Sequence, residues 1–229
     1  MGHITTREHD GVTVLTVDRP PVNALDVELL EELAATAEPL PADPPAALVL
    51  AGRPGYFSAG LDLKAMPGYG PDERRRLIDG VNRMALGLYA LPCPVVSAVT
   101  GHAIAGGFVL AMCGDLRIAS AEGRYGLTEA KVGVPFPQAA IGVLAAELSA
   151  SAVRALALTG RLVDGEECRR LGAFDAVVAP EAVLERALEA ARELAALDRD
   201  TYAHTKRQLR RETVERLRAA DEPLLGALL

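Results

Sequence analysis

The strongest constraint on the fold is a pattern of short, wholly apolar segments that alternate with helix-like ones. Ala47 to Leu50 and Val95 to Val99 carry no polar residue besides one serine, and the segment from Pro71 to about Tyr89 between them is helix-like. A strand that is apolar on both faces is typical of a parallel sheet covered by crossover helices. The pattern therefore predicts an α/β fold with a mostly parallel sheet.

The segments near the N-terminus predict a hairpin and a helix. Residues 3–9 and 12–18 alternate in polarity and are separated by Asp10-Gly11, which is a strong signal for a two-residue hairpin turn. Asp26 is placed to cap a helix that runs to about Glu38. The proline-rich residues 39–45 then predict a loop.

The second part of the chain is predicted to be mostly helical. A strand-like stretch from Phe174 to Val178 interrupts it, and we expect helices at 138–147, 149–158, 165–171, 181–197 and 199–219. With 229 residues, half of them hydrophobic, the chain can build one large domain. We expect a core at residues 1–180 and a helical segment at residues 181–229 that belongs to the same domain.

Composition excludes several classes of function. The net charge is −7, and the basic stretches Arg74–Arg76 and Lys206–Arg211 lie among acids, so we interpret both as solvated helix faces rather than a nucleic-acid surface. Three cysteines without metal-like spacing predict neither a disulfide framework nor a metal site, and Cys113 is expected in the core. No signal peptide or membrane-spanning run is present, which predicts a cytoplasmic protein without membrane partners.

Two glycine-rich segments follow the predicted buried strands. The first runs from Tyr56 to Leu63 after one strand, and the second is Ala105-Gly-Gly107 after the next. If each opens a helix, unpaired N–H groups would face a ligand and favour an anion or an anionic transition state. The alternative is that both are ordinary tight turns. Ser58 has no base nearby in the sequence, which argues against a serine hydrolase.

Four segments taken in order resemble the crotonase superfamily, the enoyl-CoA hydratases and isomerases. The resemblance covers about residues 4–215, and the residues of its motifs are most similar to those of the Δ3,Δ2-enoyl-CoA isomerase branch. The segments are Arg19-Pro-Pro-Val-Asn-Ala-Leu25, Phe57-Ser-Ala-Gly-Leu-Asp-Leu-Lys64, Thr100-Gly-His-Ala-Ile-Ala-Gly-Gly107 continuing to Asp115, and Tyr125-Gly-Leu-Thr-Glu-Ala-Lys-Val-Gly133.

The resemblance implies a crotonase-like spiral of ββα units with a helical C-terminal part that takes part in a trimer, or in a dimer of trimers. It implies an acyl-CoA substrate and no separate cofactor. The backbone N–H groups of Leu61 and Gly106 would form an oxyanion hole. The positions implied to bind coenzyme A are Ala59, Gly60, Asp62 and Leu63, although Asp62 also suits a turn.

The resemblance also implies the catalytic carboxylate. Hydratases of this family carry two glutamates; one matches Glu129, but Val109 stands at the other position. One base can move a C2 proton to C4, whereas water addition needs a base and an acid, so we expect a Δ3,Δ2-enoyl-CoA isomerase. Apolar neighbours such as Phe108 and Val109 would raise the carboxyl pKa.

Two alternatives remain open at this point. A hydratase or related lyase would need a replacement for the missing carboxylate, such as Glu147 or Glu122. A non-catalytic acyl-CoA-binding subunit belongs to another class. Among other polar residues, His102 is expected to pack structurally and Asp115 to hold backbone, while Tyr125 could serve the core or the acyl pocket.

Overall fold

The computed structural model describes residues 2–219, and within them the chain forms twelve strands and nine α-helices. The strands are β1 (Ile4–His9), β2 (Val12–Val17), β3 (Ala24–Leu25), β4 (Ala47–Ala51), β5 (Gly55–Ser58), β6 (Gly60–Leu61), β7 (Val95–Val99), β8 (Gly101–Ile104), β9 (Leu116–Ser120), β10 (Tyr125–Gly126), β11 (Leu162–Val163) and β12 (Ala176–Val178). The helices are α1 (Val27–Ala37), α2 (Pro71–Tyr89), α3 (Gly106–Met112), α4 (Glu129–Val132), α5 (Gln138–Glu147), α6 (Ala150–Val153), α7 (Gly165–Arg170), α8 (Val183–Ala195) and α9 (Arg199–Arg218).

The large sheet has the strand order β1-β2-β4-β7-β9-β12 and is parallel except for the β1–β2 hairpin. Asp10 and Gly11 close the hairpin with positive φ values of 52° and 82°, as a type I′ turn requires. Asp26 caps α1 by accepting a hydrogen bond from the Leu29 N–H at 2.9 Å. The predicted hairpin, parallel sheet and first helix are therefore confirmed.

Both faces of the large sheet are covered, which explains why its central strands are mostly apolar. Alternate residues of β4, such as Leu48 and Leu50, join the main core with α1, α2 and α3. The residues between them, such as Val49, form a second cluster with α8 on the opposite face. Every position of β4 thus needs an apolar side chain, whereas β7 accommodates the buried Ser97, whose hydroxyl donates to the Ala111 carbonyl at 2.9 Å.

A second, smaller sheet has the order β11-β10-β8-β5. The chain passes from a strand of the large sheet to a short strand of the small sheet and then to a helix, as in β7–β8–α3, and this repeats as a spiral of ββα units. Strands β5, β6 and β8, which lie in or beside the glycine-rich segments, were not predicted from the sequence. Strands of two to four residues that contain glycine show no detectable period of alternation.

The first glycine segment also differs from its prediction. No helix begins directly after it: β6 leads through a turn and a short 3₁₀ helix, Met66–Gly68, before α2 begins at Pro71. The predicted helix at 149–158 consists of α6 and a π-helical stretch, Arg154–Leu158. The other predicted helices are confirmed to within two residues at each end.

The C-terminal helices pack directly on the rest of the protein. Helix α8 covers the large sheet, and α9 contacts α2 and α5. Residues 220–229 of the predicted C-terminal segment lie outside the described residues, and its place in a trimer interface remains a prediction. No helix within residues 2–219 has the length and apolar character that crossing a membrane would require.

Helix α9 contributes to a buried ion network, made of Asp115, Arg117, Glu147, Lys206 and Arg210. Lys206 Nζ donates to Asp115 at 2.7 Å and to the Cys93 carbonyl at 2.8 Å. Arg210 pairs with Asp115 at 2.9 Å and with Glu147 at 3.3 Å. The interpretation of Lys206–Arg211 as a solvated face was therefore wrong for Lys206 and Arg210, which are buried.

Candidate active site

The two glycine segments meet in the folded chain. A Cβ atom added to Gly60 would lie 2.7 Å from the Ile104 carbonyl oxygen, 2.8 Å from the Ala105 Cβ and 3.1 Å from the Gly106 nitrogen. Gly60 also has a φ of 80°, which strongly favours glycine. A side chain here would separate the two segments, so glycine is needed for their close approach.

The same close approach occurs one residue further along the second segment. A Cβ atom added to Gly107 would lie 2.3 Å from the Ser58 carbonyl oxygen. Ser58 is buried, and its hydroxyl donates to the Asn23 carbonyl at 2.7 Å and accepts from the Gly60 N–H at 3.1 Å. The serine therefore holds backbone, in agreement with the argument against a serine hydrolase.

Leu61, the first predicted donor, lies in β6, which contacts α3. The next N–H along the chain, that of Asp62, donates to the Leu25 carbonyl of β3 at 2.9 Å. Successive N–H groups of an extended strand point to opposite sides, so the Leu61 N–H points away from β3. A Cβ atom added to Gly106 would lie 4.0 Å from the Leu61 nitrogen, which places the two predicted donors side by side.

Gly106, the second predicted donor, is the first residue of α3. Its N–H belongs to the first turn, where helical N–H groups have no partner within the helix. Ala105 before it has a φ of 53°, an uncommon conformation for alanine, and its N–H donates to the Gly126 carbonyl at 2.8 Å. Strained backbone of this kind concentrates at functional sites because the surrounding structure holds it in place.

Glu129 is brought towards the same end of the small sheet by β10. Strands β8 and β10 are parallel, with Gly126 opposite Ile104. The chain leaves β8 two residues before Gly106 and leaves β10 three residues before Glu129. Since parallel strands end at the same edge, the predicted base and the predicted donors lie at one edge of the sheet.

The Glu129 carboxyl group is buried and incompletely partnered. The residue is 7% exposed, and its Oε2 atom has no hydrogen-bond partner among the described residues. Burial raises the pKa of Glu129 to about 7, and the nearby backbone N–H groups of Glu129 and Thr128 oppose the rise only in part. A carboxyl group with a pKa near neutrality can both accept and return a proton.

The position of the second family glutamate is apolar and closed. Val109 lies one turn after Gly106 in α3 and is fully buried, as is Phe108 beside it. The two alternative carboxylates are placed differently: Glu147 is paired with Arg117 and Arg210, and Glu122 is exposed. Glu147 therefore has no free charge to offer a water molecule.

The predicted coenzyme A positions flank the first predicted donor in the chain. Ala59 is half-buried and its N–H donates to the Val22 carbonyl at 3.0 Å. Asp62 accepts hydrogen bonds from the N–H groups of Lys64 and Ala65 and so shapes a turn, while Leu63 is 47% exposed. An exposed leucine beside the donor leaves an apolar surface open to a ligand.

Three other polar candidates have structural surroundings. His102 Nδ1 accepts a hydrogen bond from the Arg124 N–H at 3.0 Å, and the ring packs on Tyr56. Tyr125 is fully buried against Phe174, which places it in the core. Asp115 accepts from the Val95 N–H at 2.7 Å and holds backbone as predicted.

The fold and the paired glycine segments define a class of protein, and comparison with known proteins identifies the family. Residues 7–223 match the family model described as enoyl-CoA hydratase/isomerase. The chain is 36% identical over 218 residues to the human mitochondrial enoyl-CoA delta isomerase 1, covering 90% of this chain and 70% of the relative. It is 35% identical over 187 residues to a probable enoyl-CoA hydratase, EchA17, of Mycobacterium avium, covering 80% and 71%.

Solved structures give the same result. The crystal structure of the enoyl-CoA hydratase EchA3 from Mycobacterium ulcerans superposes with a TM-score of 0.89 at 34% identity, covering 95% of this chain and 96% of that one. The molecule thus has the crotonase fold. The chain belongs to the enoyl-CoA hydratase/isomerase family, and it is an enzyme of that family.

Sequence reasoning missed the residues that brace the first donor. Asn23 is fully buried with a φ of 50°, and its side chain links the Arg19 N–H to the Val17 and Phe57 carbonyls. The Arg19 side chain reaches Asp62 at 3.2 Å. The only sequence signal was the segment from Arg19 to Leu25, which carried part of the resemblance but had no assigned role.

Proposed function

We propose that this enzyme shifts the double bond of a 3-enoyl-CoA to the 2 position, with Glu129 as the single proton shuttle. The observation that carries the proposal is the contrast between two positions. Glu129 offers a buried, incompletely partnered carboxyl group with a pKa of about 7, whereas the second carboxylate position is the buried Val109.

The reaction needs one base and a stabilised oxygen anion. Glu129 as carboxylate would remove a proton from C2, and the electron pair would pass to the thioester oxygen as a dienolate. The N–H groups of Leu61 and Gly106 would hold this oxygen, where removal of one such donor typically costs about 3–4 kcal/mol of barrier. The protonated Glu129 would then return the same proton to C4, which leaves a 2-enoyl-CoA without net exchange with water.

Coenzyme A binding and assembly are part of the same proposal. Ala59, Gly60, Asp62 and Leu63 would contact coenzyme A, which enters only as part of the substrate. We propose a homotrimer or a dimer of trimers, with the helices after residue 180 at the interface. A cytoplasmic location remains a prediction, since the human relative is described as mitochondrial.

The second candidate function is hydration of a 2-enoyl-CoA. Several relatives are described as probable or putative enoyl-CoA hydratases, at identities up to 38%. Hydration would require another group to hold the water opposite Glu129, since Val109 offers no hydrogen-bond partner from its side chain. The isomerase is preferred because it needs only groups that the site contains.

Product analysis separates the two candidates. Purified enzyme would be incubated with 3-hexenoyl-CoA and, separately, with 2-hexenoyl-CoA, and products followed by mass spectrometry and ultraviolet absorbance. The proposal expects conversion of the first to 2-hexenoyl-CoA at unchanged mass and no hydration of the second. Gain of one water by 2-hexenoyl-CoA at a comparable rate would instead support the hydratase, and binding without turnover of either would support an acyl-CoA-binding protein.

A further inference from the structure

The first predicted donor lies within a short segment that is anchored on both sides by residues 19–25. Upstream, the Ala59 N–H donates to the Val22 carbonyl at 3.0 Å, and the Ser58 hydroxyl donates to the Asn23 carbonyl at 2.7 Å. Downstream, the Asp62 N–H donates to the Leu25 carbonyl at 2.9 Å. The position of the Leu61 N–H therefore depends on the backbone of residues 19–25.

One side chain from that segment reaches across to the donor segment. Arg19 Nη1 donates to Asp62 Oδ2 at 3.2 Å and to the Ala24 carbonyl at 3.0 Å, and Arg19 Nη2 pairs with Asp26 Oδ2 at 2.6 Å. The three charged side chains are between 13% and 22% exposed. Partial burial and several hydrogen bonds in a planar fork make such a pair more rigid than a surface ion pair.

The two carboxylates have different attachments. Asp26 caps α1 through the Leu29 N–H, while Asp62 folds the chain after Leu61 by accepting from the N–H groups of Lys64 and Ala65. Arg19 therefore ties the turn that follows the donor to the start of a helix that packs in the main core. Without the guanidinium, two carboxylates would face each other and the turn would lose its tie to α1.

We infer that Arg19 is a positioning residue that fixes the Leu61 N–H towards the substrate oxygen by holding Asp62 against the start of α1. The inference rests on the proposed function, because it assigns Leu61 as an oxyanion donor. Gly60, with a φ of 80°, comes directly before the donor, and glycine restricts the backbone less than any other residue. Arg19 acts through Asp62 and does not touch substrate.

The test compares Arg19→Gln with Arg19→Lys and with a control, Arg76→Gln. Arg76 forms an exposed pair with Glu31 at 2.8 Å between α2 and α1, so its removal deletes an arginine without touching the donor segment. Three quantities would be measured for each protein: turnover of 3-hexenoyl-CoA, affinity for butyryl-CoA by calorimetry, and the infrared band of a ¹³C-labelled butyryl-CoA carbonyl when bound. The carbonyl band reports the donors directly, because hydrogen bonding lowers its frequency.

We expect Arg19→Gln to lower kcat by roughly 10- to 100-fold, the range for a misplacement rather than a complete loss of a group. Its bound carbonyl band should move back towards the value in water while the affinity for butyryl-CoA changes little. Arg19→Lys should be intermediate, because one ammonium group cannot reproduce the fork. Arg76→Gln should match the unmodified enzyme in all three measurements.

Other outcomes would overturn the inference. If active Arg19→Gln shows the same bound carbonyl frequency as the unmodified enzyme, Arg19 serves only the fold. If Arg19→Gln does not fold, Asp62→Asn replaces it, because this variant keeps the side-chain shape and removes the charge that pairs with Arg19. A bound carbonyl frequency equal to that of the unmodified enzyme would then overturn the inference in the same way. If the unmodified enzyme binds butyryl-CoA but its carbonyl band is that of the free thioester, the oxyanion assignment itself is wrong and both proposals fall.

Discussion

Glu129 and Asp115 are both carboxylates held largely out of water, yet their surroundings are opposite. Asp115 accepts hydrogen bonds from the Val95 N–H at 2.7 Å and from Lys206 at 2.7 Å, and it pairs with Arg210 at 2.9 Å. Among the described residues, Glu129 forms no ion pair and its Oε2 has no hydrogen-bond partner. The protein thus satisfies both oxygens of one carboxylate and leaves one oxygen of the other without a hydrogen-bond partner.

The difference separates a structural role from a chemical one. The ion network around Asp115 connects α9 to the end of α3 and to α5, and every carboxylate oxygen there faces a cation or an N–H. Burying an unpaired carboxyl group costs stability and raises its pKa, so it persists where it has a function. From this contrast we expect Glu129 to matter for turnover and Asp115 for stability.

The largest expected effect is on turnover in Glu129→Gln. Glutamine has nearly the same shape but cannot accept the C2 proton, so kcat for 3-hexenoyl-CoA should fall by about 100- to 10,000-fold. The melting temperature at pH 8 should stay the same or rise, because a buried charge is removed. Steady-state kinetics and thermal unfolding on one preparation would check both.

Glu122→Gln is the matched control for that experiment. Glu122 is exposed in the turn between β9 and β10, so its loss should change neither kcat nor melting temperature. Full isomerase activity in a Glu129→Gln protein that still binds butyryl-CoA would break the comparison, because Glu129 would then be neither the base nor required.

The next effect is on stability in Asp115→Ala. Removing the carboxylate leaves Lys206 and Arg210 buried with one acidic partner fewer, and breaking a buried pair in this way typically costs about 3–5 kcal/mol. Asp115→Asn should cost less, since its amide oxygen can still accept from the Val95 N–H. Urea unfolding monitored by circular dichroism would give both values.

Activity measurements sharpen this second prediction. Folded Asp115→Asn should retain a kcat close to that of the unmodified enzyme at a temperature where it is fully native. A large loss of kcat without a loss of stability would show that the ion network serves the reaction, and the division between the two regions would not hold.

Local signals predicted the framework of this molecule, while contacts distant in sequence set much of the site. Helix α2 spans the segment from Pro71 to Tyr89 that the sequence indicated, and the apolar strands of the large sheet are recognisable by composition. The buried role of Lys206 depends on Asp115, which is 91 residues away, and Arg19 meets Asp62 across 43 residues. Helical and strand periodicity carry no information about such distant pairings. Lys206 was therefore interpreted as part of a charged helix face, and Arg19 was given no role.

Glu129 was identified from the sequence, but its surroundings could not be predicted. Its position in Leu-Thr-Glu was identified through resemblance, and the short α4 offers no period from which its burial could be inferred. The raised pKa arises because the folded chain buries the carboxyl group. Residue identity could thus be predicted from sequence, but the environment that gives the residue its chemistry came from the fold.

The smallest expected effect is a pH dependence that only the unpaired carboxylate should produce. Burial raises the pKa of Glu129 from 4.5 to about 7, so the base form needed to take the C2 proton appears only as pH rises through about 7. We expect kcat to increase about tenfold per pH unit below that value and to level above it. Phosphate monoesters titrate near pH 6, so the affinity for butyryl-CoA measured at each pH would separate binding from turnover.

The same titration predicts a change in stability, whose sign follows from the raised pKa. Protonated Glu129 is favoured in the folded state, so its contribution is fully present below pH 4.5 and is lost as pH rises through about 7. The free energy of unfolding of Glu129→Gln, relative to the unmodified enzyme, should therefore increase by about 3 kcal/mol between pH 4.5 and pH 8.5. A Glu129→Gln difference that is constant across this range would mean that Glu129 is as well stabilised as Asp115, and the contrast between the two carboxylates would be lost.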